Sequence, residues 1–452
     1  MSGSRTFLRQ SFLLPSLLVL GLTVRLGMLA VNYNNLDLDS SFVVGGEIAH
    51  NILRGRGIAV DTAHMAMTVQ MWRREQRLID FQDLPAPSSE QVQPEFLNEP
   101  GYGLLLAGLW KLTGSERWIT VRLLQILIDV GMIAAVFFIG TALGGRRAGA
   151  VAALLYAVFI PHIELVVRPH RDVWVSFAYI LSVVLLMRWN RDERGGWKWI
   201  VMLGVMFGLV AWMRSTVVAY VVFCAILMIV LKRRWKTAAQ AALLGGVFLL
   251  LMTPLVVRNY EAFGRVMLTR GAVWHSFWAG VGQFSNPYGL ADDDAVVIRY
   301  FEAKDTSVQY GTEGYERFLR QEAMKLFREH PWWYAGMVVR RAAVILAPKI
   351  GRELFFQTSQ GTVTGILNQR LSRWLLFTAD LVFVAGFLAG IWITRLRGRE
   401  VLIILLPWLY TFLTLAPFYV VGRNILNSYV VVLVFASAAF AASIWRNIQM
   451  QH

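Results

Sequence analysis

Cysteine is almost missing from this sequence. Cys224 is the one cysteine in 452 residues, and it sits inside an apolar stretch. That removes both a disulfide framework and a cysteine-based metal site. Charge is scarce as well, at 16% of residues against roughly 25% in a soluble globular domain. There is no internal repeat, heptad or low-complexity tract, and Pro85-Ala86-Pro87-Ser88-Ser89 reads as an ordinary loop. The first apolar run lacks a small-x-small cleavage site and carries Arg25, so it reads as an uncleaved span and not as a signal peptide.

What the sequence holds instead is hydrophobic length, with 56% apolar and 13% aromatic residues. Runs long enough to cross a bilayer fall near 11–31, 118–142, 147–164, 171–188, 198–213, 216–231, 236–256, 372–394, 400–420 and 425–445. The stretch from Lys198 to Leu231 is too long for one crossing and breaks at Arg214-Ser215-Thr216, which predicts a tight hairpin of two short spans. The expected fold class is therefore an all-α polytopic membrane protein of about ten spans.

The net charge of +15 does not point to nucleic acid, because the basic clusters punctuate the apolar runs and are not gathered on a soluble face. With ten alternating spans, Arg5/Arg9, Arg146/Arg147, Arg188 to Lys198, Lys232 to Lys236, Arg395 to Arg399 and Arg446 all fall on one side. Lys and Arg are retained on the cytoplasmic side. The expectation is a multi-pass protein of a bacterial inner (plasma) membrane with both termini cytoplasmic. The chain then divides into a transmembrane module at 1–256 with a first extracytoplasmic loop at 32–117, an extracytoplasmic cap at 257–371, and transmembrane helices at 372–452. Residues 101–112 are apolar but too short to span. Residues 331–350 are apolar on one face with Arg340, Arg341 and Lys349 on the other, which predicts an interfacial helix.

The extracytoplasmic side carries the chemistry. Asp37 and Asp39 follow the first span in Leu36-Asp37-Leu38-Asp39-Ser40. Alternating carboxylates can bind a metal-phosphate or supply a general base, and they equally mark a solvated helix end. A second cluster, His162-Ile163-Glu164 with Arg168-Pro169-His170-Arg171-Asp172, is expected in a short polar turn. It has no spacing of a closed zinc site. Arg214, Arg258 and Arg423 lie at span ends where arginine runs against the charge rule, and bidentate phosphate recognition is a physical reason for them; snorkelling to the interface is another. Arg25, Asp129 and Asp380 lie within spans, where a charge costs several kcal/mol unless paired. In the cap, Trp274, His275, Trp278, Gln283 and Asn286 are available for hydroxyl recognition or for packing.

The order of these features resembles the polytopic glycosyltransferases of the C-type (GT-C) fold, in the family 39-like group that includes protein O-mannosyltransferases and lipid A aminoarabinose transferases. The residues that carry the likeness are Asp39 ahead of Glu47 to Gly57, the segment Glu99-Pro100-Gly101-Tyr102-Gly103-Leu104, the opening Arg122-Leu123-Leu124-Gln125, and the junction Thr253-Pro254 to Arg258-Asn259-Tyr260. Near the last span Arg423-Asn424 stands where the group reads Arg-Tyr. The resemblance implies inverting transfer of a sugar from a polyprenyl-phosphate donor to a glycan, lipid or protein acceptor at the extracytoplasmic face. It implies Asp39 or Asp37 as the base and Arg258, Arg423, Arg168 and Arg171 on the phosphate side, with Asp172, Tyr260 and Glu99 in the binding region. It implies no certain cofactor and leaves a divalent cation open. A transporter or flippase of an anionic substrate, and a glycan ligase with a diphosphate-linked donor, are the other readings; the first usually shows repeated halves, which this chain lacks.

Overall fold

The computed structural model describes residues 12–31, 40–61, 92–192, 195–271, 273–290, 294–304, 312–346, 370–420 and 422–450. Apart from one short ribbon, β1 (Ala59–Asp61) paired antiparallel with β2 (Val92–Pro94), the described chain is helical. In order the helices are α1 (Leu13–Val31), α2 (Ser40–Leu53), α3 (Gly101–Thr113), α4 (Ile119–Ala157), α5 (Ile160–Val167), α6 (Asp172–Arg191), α7 (Trp197–Ala211), α8 (Thr216–Leu231) and α9 (Trp235–Phe263). They continue as α10 (Trp274–Val281), α11 (Asp294–Lys304), α12 (Glu313–Glu329), α13 (Pro331–Leu346), α14 (Arg370–Thr394), α15 (Gly398–Leu415) and α16 (Gly422–Met450).

Six helical stretches among the described residues are long and apolar enough to cross a membrane, and α7 and α8 are apolar but shorter. The 39 residues of α4 are not one rod, because Gly145 has φ 83° and ψ 176°. A Cβ on Gly149 would stand 2.6 Å from the carbonyl oxygen of Phe137. In a straight helix those positions would be about 18 Å apart. The chain therefore folds back at Gly145 into two antiparallel legs, close to the break expected between 142 and 147. The conformation is one that glycine adopts without steric cost.

The bundle core is built around α16, whose residues from Ile425 to Ala439 are all buried. A helix apolar on every face can satisfy itself only by being surrounded, and α16 packs against α4, α14, α6 and α15. Small residues let the helices close up. Gly390 of α14, for instance, packs so tightly against the Phe435 backbone of α16 that a side chain would collide.

Within this apolar bundle Arg25 of α1 is fully buried and donates to the Asp129 carboxylate of α4. Asp129 also accepts from the Tyr156 hydroxyl at 2.6 Å and sits 2.8 Å from His162 Nε2. Arg25 donates further to the carbonyls of Gly21 and Ala157, both at 3.0 Å. The charge within the first span is thus paired, as a low-dielectric interior demands. One expectation is corrected here. His162 and Glu164 are not in a surface turn but on α5, a helix whose eight residues are almost entirely buried, and His162 faces the bundle. A second correction concerns Arg341, expected on the polar face of an interfacial helix. It is fully buried on α13, while Arg340 is exposed; Lys349 lies outside the described residues.

The basic turns come together at one end of the bundle. Arg191 pairs with Glu400 at 2.6 Å, Lys232 donates to the carbonyl of Asn190 at 2.9 Å, and Arg397 donates to the carbonyl of Ala142. Helix α6 runs from there to Asp172, a length of 20 residues or about 30 Å. At that opposite end stand the residues described next.

Candidate functional site

The site begins with a close backbone approach. The Gly101 N–H donates to the carbonyl of Trp212 at 2.8 Å, and a Cβ on Gly101 would lie 2.5 Å from the Trp212 carbonyl carbon. Only glycine lets α3 start against the α7–α8 turn. That contact brings Glu99, two residues earlier, onto the turn itself, where its Oε1 accepts from the Ser215 N–H at 2.9 Å.

Three arginines from three distant segments surround this carboxylate. Arg171, at the head of α6, donates from Nη1 to Glu99 Oε2 at 2.7 Å. Arg270, ahead of α10, pairs with Glu99 Oε1 at 3.3 Å through Nε and reaches the Leu97 carbonyl at 3.5 Å. Arg214 pairs through Nε with Asp172 Oδ1 at 3.3 Å and donates from Nη2 to Asn424 Oδ1 at 3.2 Å. The two carboxylates are fully buried, whereas the side chains of Arg171, Arg214 and Arg270 keep 14%, 12% and 19% of their surface. The arginine side chains therefore keep some access to solvent, and the acids none.

The loop that carries Arg168 and Arg171 is fixed by Gln125. Its Nε2 donates to the carbonyls of Val166 at 3.0 Å and Arg168 at 2.7 Å, and its Oε1 accepts from the Tyr102 hydroxyl at 3.0 Å. Each of Arg168 and Arg171 has a buried Nε with no hydrogen-bond partner among the described residues. An unmet buried donor is costly.

Electrostatics agree with the geometry. Burial alone would raise the Glu99 carboxyl, but Arg270, Arg171 and Arg214 outweigh it and hold it well below the usual carboxylate range. Burial lowers Arg171 to about 10, with Glu99 opposing and the other two arginines adding to the fall. Both groups are charged at neutral pH. Three guanidiniums against Glu99 and Asp172 leave one net positive charge at the site. Such a group of forked donors suits a phosphate and stabilises negative charge as it develops on a leaving group.

Of the residues expected from sequence, the structure brings Glu99, Arg171 and Asp172 into one cluster and places the Arg168 backbone beside it. Arg258 stands elsewhere. It donates to the carbonyls of Ile58 at 2.7 Å and Glu95 at 2.9 Å, so it ties the ribbon of β1 and β2 to the end of α9. Tyr260, one turn from that end, is 58% exposed. Asp37 and Asp39 lie outside the described residues, as does the Arg423 side chain, although its helix α16 starts at the cluster through Asn424. Sequence reasoning missed Arg270, Ser215 and Asn424 as members. Asn424 had one signal, standing where the resembled group has a tyrosine. Among the described residues, no group of three or more His, Cys, Asp or Glu is arranged to hold a metal ion.

A second feature lies beside the cluster. Glu95 is 2% exposed, and its Oε1 accepts from the Asn98 N–H at 2.8 Å. Burial pushes its carboxyl up to about 7 against the backbone donors of Asn98 and Leu97, with nearby Glu47 adding to the rise. It borders a cavity of about 220 Å³ that is also lined by Val60, Phe96, Phe263 and Glu313.

Residues 94–257 match the family model of dolichyl-phosphate-mannose-protein mannosyltransferase, a segment that contains Glu99, Arg168, Arg171, Asp172 and Arg214 and stops just before Arg258. No curated protein matches the sequence. Among solved structures, the chain is similar to the oligosaccharyltransferase of Archaeoglobus fulgidus tethered with an acceptor peptide, at TM-score 0.54 and 12% identity over 97% of this chain and 50% of that one. It is similar also to AglB from the same organism in complex with an inhibitory peptide and a dolichol-phosphate, at TM-score 0.51 and 13% identity over 98% and 52%. ArnT from Cupriavidus metallidurans matches at TM-score 0.37 and 15% identity over 94% and 78%. The chain spans about half the length of the two archaeal structures. The resemblance read from the sequence is matched by the fold: this is a polytopic, all-α membrane protein with the GT-C fold.

Proposed function

We propose that this protein is a membrane glycosyltransferase that takes a sugar from a polyprenyl-phosphate donor and passes it to an acceptor hydroxyl, with inversion. The observation that carries the reading is the net positive cluster of Arg171, Arg214 and Arg270 around buried Glu99, within or next to the segment that matches the mannosyltransferase family. The acceptor oxygen attacks the anomeric carbon while the bond from that carbon to the phosphate oxygen breaks. The lipid phosphate leaves with one more unit of charge than it had in the donor, and the arginines stabilise that charge. The hydroxyl proton passes to a carboxylate, for which Asp39 or Asp37, following α1, is assigned by resemblance.

The gathering of basic turns at the far end of the bundle supports an orientation in which that end is cytoplasmic and the arginine cluster is extracytoplasmic. Bilayer access follows from the position of the cluster at the head of α6, α8 and α16, where a lipid phosphate meets the helix ends while its chain stays in hydrocarbon.

The test uses purified protein in lipid nanodiscs with radiolabelled polyprenyl-phosphate sugars and cell-envelope extract as acceptor. Label transfer with release of polyprenyl monophosphate is expected, together with its loss in the double variant Asp37→Asn, Asp39→Asn. Transfer only when a diphosphate-linked glycan is supplied as the donor in its place, with release of the polyprenyl diphosphate, would assign the protein as a ligase of preassembled glycan, and native transfer by the double variant would remove the proposed base.

A further inference from the structure

Helix α10 is eight residues long, and buried charge holds both its ends. At its start the Glu316 carboxylate of α12 accepts from the backbone N–H of Trp274 at 2.7 Å and of His275 at 3.1 Å. At its finish Arg341 of α13 donates to the Gly280 carbonyl. Glu316 is 5% exposed and Arg341 is fully buried. An acid at the N-terminus and a cation at the C-terminus both complement the helix dipole, and a helix this short needs such support because nucleation is unfavourable.

The helix lies between two sides of the arginine cluster. Four residues before it stands Arg270, which reaches Glu99 and donates to the Ser276 hydroxyl of α10 at 3.1 Å. Just past it stands Gln283, which pairs with Val420 in both directions: its Nε2 donates to the Val420 carbonyl, and its Oε1 accepts the Val420 N–H at 3.2 Å. Arg341 continues to the carbonyl of Pro417 at 3.2 Å, the Tyr334 hydroxyl donates to the same carbonyl, and Gly280 packs too close to the Phe418 carbonyl for any side chain. The segment 416–420 is thus gripped from α10 and α13, four residues ahead of Asn424, the acceptor for Arg214.

We propose that Glu316, Arg341 and Gln283 are positioning residues for the anion site: they fix α10 as a strut that sets the spacing between Arg270 and the Arg214–Asn424 pair. The proposal rests on the reading of the arginine cluster as the donor-phosphate site. It explains why a fully buried arginine is kept where its donors meet backbone carbonyls. Arg341 satisfies orphan carbonyls at the end of α15 and of α10 together, which a lysine, with its single point charge, does not reproduce.

The experiment measures binding of undecaprenyl phosphate to the full-length protein in nanodiscs. Gln283→Ala and Arg341→Lys are each expected to weaken binding by about fivefold, within the range for coupling through a packed network. Asn424→Ala is expected to weaken it as well, and the double variant Gln283→Ala, Asn424→Ala no more than the stronger single, because Gln283 acts through the segment that places Asn424. Gln283→Ala removes no charge, so it remains interpretable if Arg341→Lys lowers the yield of folded protein. Native binding by Gln283→Ala and Arg341→Lys, or additive losses in the double variant, overturns the positioning role as long as Arg214→Gln still loses binding. If Arg214→Gln binds as tightly as the native protein, the phosphate site itself is wrong and the strut falls with it.

Discussion

The carboxylate of Glu99 lies 2.7 Å from the guanidinium of Arg171, and neither residue is near the other in sequence. The pair joins the segment before α3 to the head of α6, and the same carboxylate takes up the Ser215 amide and Arg270. One buried acid therefore organises the donors proposed to meet the phosphate.

Replacing Glu99 by Gln leaves those arginines without their shared counter-charge. Breaking a buried ion pair costs about 3–5 kcal/mol, so the unfolding midpoint in mild detergent at pH 7 is expected to fall. The pH dependence gives a sharper sign. The folded carboxyl is held below its ordinary value of 4.5, so its stabilisation is complete above that value and is lost as pH falls below it. Native protein should lose stability below pH 4.5 more steeply than Glu99→Gln; parallel curves would contradict the charge assignment.

Glu95 has the opposite sign. Its folded carboxyl is raised from 4.5 to about 7, so the fold favours the neutral acid and stability declines as pH rises across that interval, then levels. Glu95→Gln mimics the neutral form. The variant should be the more stable protein at pH 8 and should lack the decline between 4.5 and 7, as read by thermal unfolding across that range.

The pair of Arg25 and Asp129 is enclosed on all sides by the bundle. Asp129→Asn is expected to destabilise the protein by about 3–5 kcal/mol, while the double variant Arg25→Met, Asp129→Leu should cost less than either single charge removal, because no buried charge is left alone. Chemical denaturation of the native protein, Asp129→Asn, Arg25→Met and the double variant in detergent gives the comparison, and equal losses in single and double variants would show that packing, not charge, is at stake.

Gly101 tests the backbone contact that delivers Glu99. Gly101→Ala places a methyl 2.7 Å from the Met213 amide nitrogen, and forcing the backbones apart costs about 1–3 kcal/mol. Sugar transfer should fall together with stability. Gly108→Ala on the same helix is the control, since its added methyl meets nothing within 4 Å and should leave transfer unchanged.

Much of this was legible in the sequence, for identifiable reasons. Apolar runs mark helices because a bilayer tolerates little else, and the break at Arg214-Ser215-Thr216 is the turn between α7 and α8. A charge in a span must pair, which marked Arg25 and Asp129 as charges in need of partners, while the choice of each other as partner shows only in the packed bundle. Arg341 was misplaced because amphipathic patterning treats every charge as a solvent-facing one; the residue is buried since three carbonyls from two helix ends converge on it. Arg258 was read as phosphate-binding from its position at a span end, and two of its nitrogens also hold the carbonyls of Ile58 and Glu95, contacts that depend on a ribbon no local pattern announces. Arg270 carries no local signal at all, because its partner Glu99 is reached only after α3 docks against the α7–α8 turn. Asp37 and Asp39 lie outside the described residues, and their role still rests on the resemblance.

The most direct measurement is the rate of sugar transfer from a labelled polyprenyl-phosphate donor by Arg171→Gln and Arg214→Gln, each compared with the native protein at saturating donor. Loss of one group that stabilises developing charge typically lowers turnover about 10²- to 10³-fold, and a fall of that order in both variants, with the folded protein retained, is the predicted result. Turnover at the native rate in either variant would contradict the account, because the leaving phosphate would then be stabilised somewhere other than the arginine cluster around Glu99.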